Sequence, residues 1–204
     1  NLVELAGMKS DEINSNLVKE LAIALFIVLS TWWIIIAFVF KNEHQQANLL
    51  WAASYQLMAL FGVIFGMIIS QSWGGFKSIM GKTIIFFSLG LLLQVFGQTV
   101  FSFYNLILEV EIPYPSLADL GYFLSIPFYV YATMLLAKAS GVGLSLKSVH
   151  KKIQAVIIPL VILIFSYMIF LRGYEFDWSN LLHVFLDFGY PLGQAFYLSL
   201  ALLV

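Results

Sequence analysis

A chain of 204 residues with 61% hydrophobic and only 10% charged side chains, and a mean hydropathy of +0.93, lies far from soluble globular domains, in which about a quarter of residues are charged. A formal net charge of −1 offers no basic surface for nucleic acid, and the absence of cysteine excludes disulfides, thiolate metal sites and cysteine nucleophiles. The composition is that of an integral membrane protein, and no Walker, Rossmann, zinc-spacing or GxSxG pattern supports a soluble enzyme domain.

Residues 1 to 16, with Lys9, Asp11, Glu12 and Asn16, are polar and mixed in charge and read as an exposed tail or a short surface helix. They lack the apolar core and small-residue cleavage site of a signal peptide. Six apolar segments follow, at about 18 to 40, 47 to 70, 83 to 108, 117 to 138, 153 to 172 and 181 to 204. Each is about 20 residues or longer, enough to cross a hydrocarbon core of about 30 Å. The runs are continuous, without the alternation of an outer-membrane barrel, so the expected fold is all-α: a polytopic transmembrane helix bundle of six spans. The chain starts at Asn1 and ends on Leu202, Leu203 and Val204 with no polar flank, so both ends read as cut and a further N-terminal or C-terminal portion is an open expectation.

Lysine and arginine set the expected orientation. Lys9, Lys19, Lys77, Lys82, Lys138, Lys147, Lys151 and Lys152 fall on one side, and Lys41 and Arg172 on the other. Both termini are therefore expected in the cytoplasm, with the loops carrying Glu43, Glu109, Glu111, Glu175 and Asp177 facing outward.

The chain also resembles itself. A shift of 68 residues lays Asp119, Gly121, Tyr122, Leu124, Phe128 and Tyr129 on Asp187, Gly189, Tyr190, Leu192, Phe196 and Tyr197. A shift of 67 lays Tyr55, Leu57 and Phe61 on Tyr122, Leu124 and Phe128, a weaker match. The pattern predicts three parallel helical hairpins, which disfavours inverted-repeat transporter architectures.

Polar residues concentrate on three helical faces. His183, Asp187, Tyr190, Gln194 and Tyr197 share about 80° of arc on span six, as do Gln94, Gln98, Ser102 and Asn105 on span three. Asp119, Tyr122, Tyr129 and Thr133 line span four. Ionisable groups inside a membrane are costly and default to function, so an outward-opening seam binding a small or lipidic ligand, or a proton, is expected between these spans. The candidate ligand-binding residues are His183, Asp187, Tyr190, Gln194, Gln94, Gln98, Asn105, Asp119 and Tyr122. Structural readings stand beside each: amides as glue between helices, Asp119 as the capping-box partner of Ser116, and His183 and Asp187 as a self-satisfying pair at i, i+4.

Other features point to packing. Gly62 and Gly66 form a GxxxG pair, Pro127, Pro159 and Pro191 can kink their spans, and the five tryptophans suit interfacial belts. Pro191 is placed to loosen the helix beside Asp187. His44, His150 and His183 fall in an outer loop, an inner loop and a span, so paired haem ligation is not expected. Neither a metal site nor catalytic residues are expected in this chain, and no cofactor is indicated.

Pro115-Ser116-Leu117-Ala118-Asp119-Leu120-Gly121-Tyr122 and Asp187-Phe188-Gly189-Tyr190-Pro191-Leu192-Gly193-Gln194 resemble two motif segments of multi-pass membrane input domains found ahead of diguanylate cyclase (GGDEF), phosphodiesterase or histidine-kinase modules in bacteria. There the pattern runs approximately P-S-x-A-D-x-x-Y after an outer loop, then D-x-x-Y-P-L-G-D. Gln194 stands where a second acid is common, and Ile126-Pro127 where Tyr-Pro often follows. The resemblance covers spans three to six. It implies a sensory domain of a bacterial or archaeal cytoplasmic membrane that drives a cytoplasmic effector, although no effector module lies within these residues. Expected partners are the lipid bilayer and an effector module or membrane-protein partner, or a second copy of the chain as a homo-oligomer. The alternatives are a structural or assembly subunit of a larger membrane complex and, third, a small transporter.

Overall fold

Where no water can reach the backbone, a continuous apolar run satisfies its own N–H and C=O groups only by coiling into a helix. The computed structural model describes residues 2–40, 45–141, 149–173 and 178–204, and every regular element among them is helical. These are α1 (Leu2–Ile34), α2 (Gln45–Ser54), α3 (Gln56–Ser72), α4 (Ile79–Phe103), α5 (Leu117–Ala139), α6 (Val149–Ser166) and α7 (Leu181–Leu203). The polar stretch before the first span is helical from Leu2 and runs into it without a break. α1, α4 and α6 each end in a five-residue π-helical turn, at Ile35–Val39, Tyr104–Leu108 and Tyr167–Leu171.

Among the described residues, four helical stretches are long and apolar enough to cross a membrane: Asn16–Val39, Gln45–Ser72, Ile79–Leu108 and Leu117–Ala139. They coincide with the first four expected spans. In the fifth, the described apolar helix is shorter, Val156–Ile169. α7 has 23 residues, but His183, Asp187, Gln194 and Pro191 lower its hydropathy. The all-α class expected from the sequence is therefore seen, with four spans that meet the requirement of length and composition.

Small residues set the packing. α4 lies between α3 and α5; α7 packs on α5, and α6 on α7. A Cβ at Gly62 would lie 2.9 Å from Leu91 Cδ1, and one at Gly66 would collide with Ser88, so the GxxxG pair is used within the chain to seat α3 on α4. α5 approaches α4 more closely still. A Cβ at Gly121 would lie 2.6 Å from the Leu93 carbonyl oxygen and 2.7 Å from the Gly97 nitrogen, so the two backbones meet there. Gly189 packs under the Phe123 ring and Gly193 under Ile126, which brings α7 onto α5. α1 is tied on at the other end of the row, where the Trp51 indole donates to the Leu29 carbonyl at 3.0 Å.

The outer surface is apolar: Phe26, Phe38, Ile107, Val156 and Phe165 are all exposed, as lipid-facing side chains are. Buried hydroxyls bond back along their own helices. Thr83 donates to Ile79, Ser88 to Ile84, Thr133 to Tyr129 and Ser199 to Ala195, which satisfies each group without water.

Candidate functional site

The N-termini of α5 and α7 lie at the same end of the bundle, and the polar side chains of span six meet the rest of the protein there. Ser116 leaves the helical region (φ −125°, ψ 173°) to cap α5, and Ala118 N donates to its hydroxyl at 3.2 Å. Asp119 completes the capping box, accepting from the Ser116 amide at 2.7 Å through Oδ2. This is the structural role the sequence offered for Asp119. Its other oxygen leaves the helix: Oδ1 accepts the Tyr190 hydroxyl of α7 at 2.9 Å. One carboxylate thus caps α5 and fastens α7 to it.

Asn180 caps α7 in turn, its Oδ1 accepting from the amides of Leu182 and His183. His183 and Asp187 follow one turn apart, yet among the described residues no hydrogen bond joins them. Tyr114, from the loop before α5, is what links them. Its hydroxyl donates to Asp187 Oδ1 at 2.8 Å, and its ring centroid lies 5.1 Å from the His183 imidazole. The second carboxylate oxygen, Oδ2, is buried without a partner. Such an oxygen is costly, because desolvation is not returned by a hydrogen bond. Pro191, four residues on, has no N–H to give the Asp187 carbonyl, so the backbone is also short of a donor at this point.

The stripe on span three goes elsewhere. Gln98, buried at 6% exposure, accepts the hydroxyls of both Tyr55 and Tyr122 on Oε1 at 2.6 Å each and donates through Nε2 to the Ala52 carbonyl at 2.9 Å. It therefore joins α2 and α5 through α4. Gln94 donates to the Ser125 hydroxyl at 2.6 Å. Ser102 Oγ is buried without a partner. Asn105 sits in the π turn after α4 and lines a cavity of about 640 Å³ with Gln45, Gln46, Glu109 and Glu111.

Of the nine expected site residues, Asp119 and Tyr190 are in direct contact, as are Gln98 and Tyr122, while Tyr114 joins His183 and Asp187. Gln94 pairs with Ser125, Asn105 lies toward α2, and Gln194 is exposed on α7. The stripes resolve into neighbouring hydrogen-bonded groups.

Two residues escaped the helical periodicities. Tyr114 lies in an irregular loop, where a period of 3.6 says nothing, and its only signal is its place between Pro113 and Pro115, beside the Ser116 cap. Tyr55 was marked only by the weak 67-residue match that lays it on Tyr122.

Chemically, the face around Asp187 offers an unmet acceptor beside an aromatic hydroxyl and an imidazole. Among the described residues no group of three His, Asp or Glu is arranged to hold a metal ion. Compared with known proteins, the chain matches no family model, no curated protein and no solved structure.

Proposed function

We propose that this chain is a membrane-embedded sensory or input domain that binds a small or lipidic ligand, or a proton, at the Asp187 face and relays the event to a cytoplasmic effector. The observation that carries this reading is the buried, unpartnered Asp187 Oδ2 between Tyr114 and His183. A donor or proton arriving there gains a hydrogen bond that the resting protein lacks, and so favours whichever helix arrangement receives it better. The face joins α7 to the loop before α5, and any change in it alters how α7 sits on α5. Six spans with both termini in the cytoplasm would carry that shift to the inner end of α7.

Two observations support the three-hairpin reading. The first helices of the expected hairpins, α1, α4 and α6, each end in a π turn. Tyr55, Tyr122 and Tyr190, which the self-alignment places together, all donate a hydrogen bond to an amide or carboxylate on a neighbouring helix.

The test joins a cytoplasmic reporter enzyme after Val204 and measures its output across pH and a panel of small and lipidic ligands. The reading predicts a response that Asp187→Asn and His183→Ala abolish at unchanged expression. A response identical in both variants sinks it.

The hydrogen bonds by which Gln98 and Gln94 join neighbouring helices favour a second reading, an assembly subunit whose polar residues are glue. Purification in mild detergent that yields a stoichiometric partner set and no bound small molecule selects it.

A further inference from the structure

A pocket of about 210 Å³ opens over α4 between α3 and α5, with Tyr55, Ala59, Leu91, Gln94, Gln98 and Tyr122 in its wall. It shares no residue with the Asp187 face. A third lining amide, Gln56, is bonded through Nε2 to the Ala53 carbonyl at 2.8 Å, and the hydrogen bonds of Gln94 and Gln98 can be assigned because each has only one workable orientation. Gln98 must turn Nε2 to the Ala52 carbonyl, since two acceptors cannot face each other, and this leaves Oε1 to receive both tyrosine hydroxyls. Ser125 has already given its hydrogen to the Tyr122 carbonyl at 2.7 Å, so it can only accept from Gln94 Nε2. Gln94 Oε1 is left as an acceptor, and the two tyrosine oxygens keep lone pairs. The amides of Gln94 and Gln98 each retain one N–H.

The wall therefore offers both donors and acceptors but no charge, as none of its residues is acidic or basic. A charged head would be stripped of water there with nothing to neutralise it. The opening is lateral: Tyr55 is 42% exposed on the apolar outside of the bundle, and Ala59 and Leu91 supply greasy contact. The volume suits a head group alone, smaller than the roughly 300–1,000 Å³ of sites that enclose a whole ligand.

We propose that this pocket takes the uncharged head of a membrane-dissolved amphiphile, one whose hydroxyl groups give hydrogen bonds and whose hydroxyl or carbonyl oxygens accept them, with its tail left in the lipid. A quinol ring and a glycerol ester share that chemistry, and the experiment separates them.

Trp51 provides the readout, since its ring centroid lies 5.4 Å from that of Tyr55. With Trp32, Trp33, Trp73 and Trp178 replaced by Phe, the whole chain in phosphatidylcholine nanodiscs is titrated separately with decylubiquinol, kept reduced, monoolein and dodecyl phosphate. At least one neutral probe should change Trp51 emission saturably, and the one that does identifies the head class. Ala59→Leu, which fills the pocket, and Gln94→Leu, which removes its free acceptor, should each weaken that binding roughly tenfold. Leu160→Ala, on the exposed face of α6, should leave it unchanged. The proposal is overturned if neither neutral probe saturates, if dodecyl phosphate saturates equally well, or if both pocket variants bind like the parent, which would leave the cavity to water or lipid tails.

Discussion

The hydroxyl of Tyr114 donates to Asp187 Oδ1 at 2.8 Å across 73 residues of chain, clamping the start of α7 to the loop that leads into α5. This single bond holds a carboxylate whose other oxygen has no partner. Tyr114→Phe should lower stability by about 1–3 kcal/mol, because it leaves both oxygens unmet, and thermal unfolding in detergent measures it. Asp187→Asn keeps an acceptor for Tyr114 and removes the charge, so its unfolding temperature should equal or exceed the parent's. A fall of several degrees would instead mean that a bound cation or donor had been holding Oδ2.

Gln98 is the centre of a three-way junction. Gln98→Leu removes the shared acceptor of Tyr55 and Tyr122 and the donor to Ala52 in one step. At about 0.6–2 kcal/mol for each of the three bonds, the expected loss is roughly 2–6 kcal/mol. Hydrogen exchange should rise at Ala52 to Tyr55, where α2 meets α3. Unchanged exchange there would show that apolar packing alone holds α2.

Two glycine substitutions should differ sharply. At Gly121 an added methyl meets the backbone of α4, which cannot move without parting the helices, so Gly121→Ala is expected to cost about 2–4 kcal/mol. At Gly62 the methyl meets only the end of the Leu91 side chain, which can rotate away. Gly62→Ala should cost less than about 1 kcal/mol. Paired unfolding curves decide it, and similar losses would contradict the close α4–α5 approach.

Asp119 caps α5 and receives Tyr190, so the two roles can be separated by a double-mutant cycle. Asp119→Ala should cost about 1–2 kcal/mol, including the lost capping box. Tyr190→Phe removes only the bond to α7. A coupling of about 0.5–1.5 kcal/mol between the two is expected, and a coupling near zero would show the Tyr190 contact to be energetically idle.

Some of this could be read without coordinates. The Ser116 to Asp119 spacing is a local signal, and the capping box is where the spacing placed it. Gly62 and Gly66 likewise announced a close helix contact, although not that its partner would be Leu91 and Ser88 of the same chain. The seam was harder. Periodicity groups His183, Asp187, Tyr190 and Gln194 on one face of α7, yet the first three meet protein partners while Gln194 is exposed. A stripe specifies a direction around one helix axis and carries no information about which neighbour stands there or how far along the axis it reaches.

The helices, the apolar exterior and the cap of α5 are legible in the residues alone, because each follows from forces acting within a few residues: backbone self-satisfaction, hydropathy and local side-chain bonding. That Asp119 serves α7, that Tyr114 stands between His183 and Asp187, and that two tyrosines share Gln98 comes from the packing of distant segments. Those pairings depend on the order α3, α4, α5, α7, which glycine contacts between distant segments set, and on a loop residue with no periodicity to betray it.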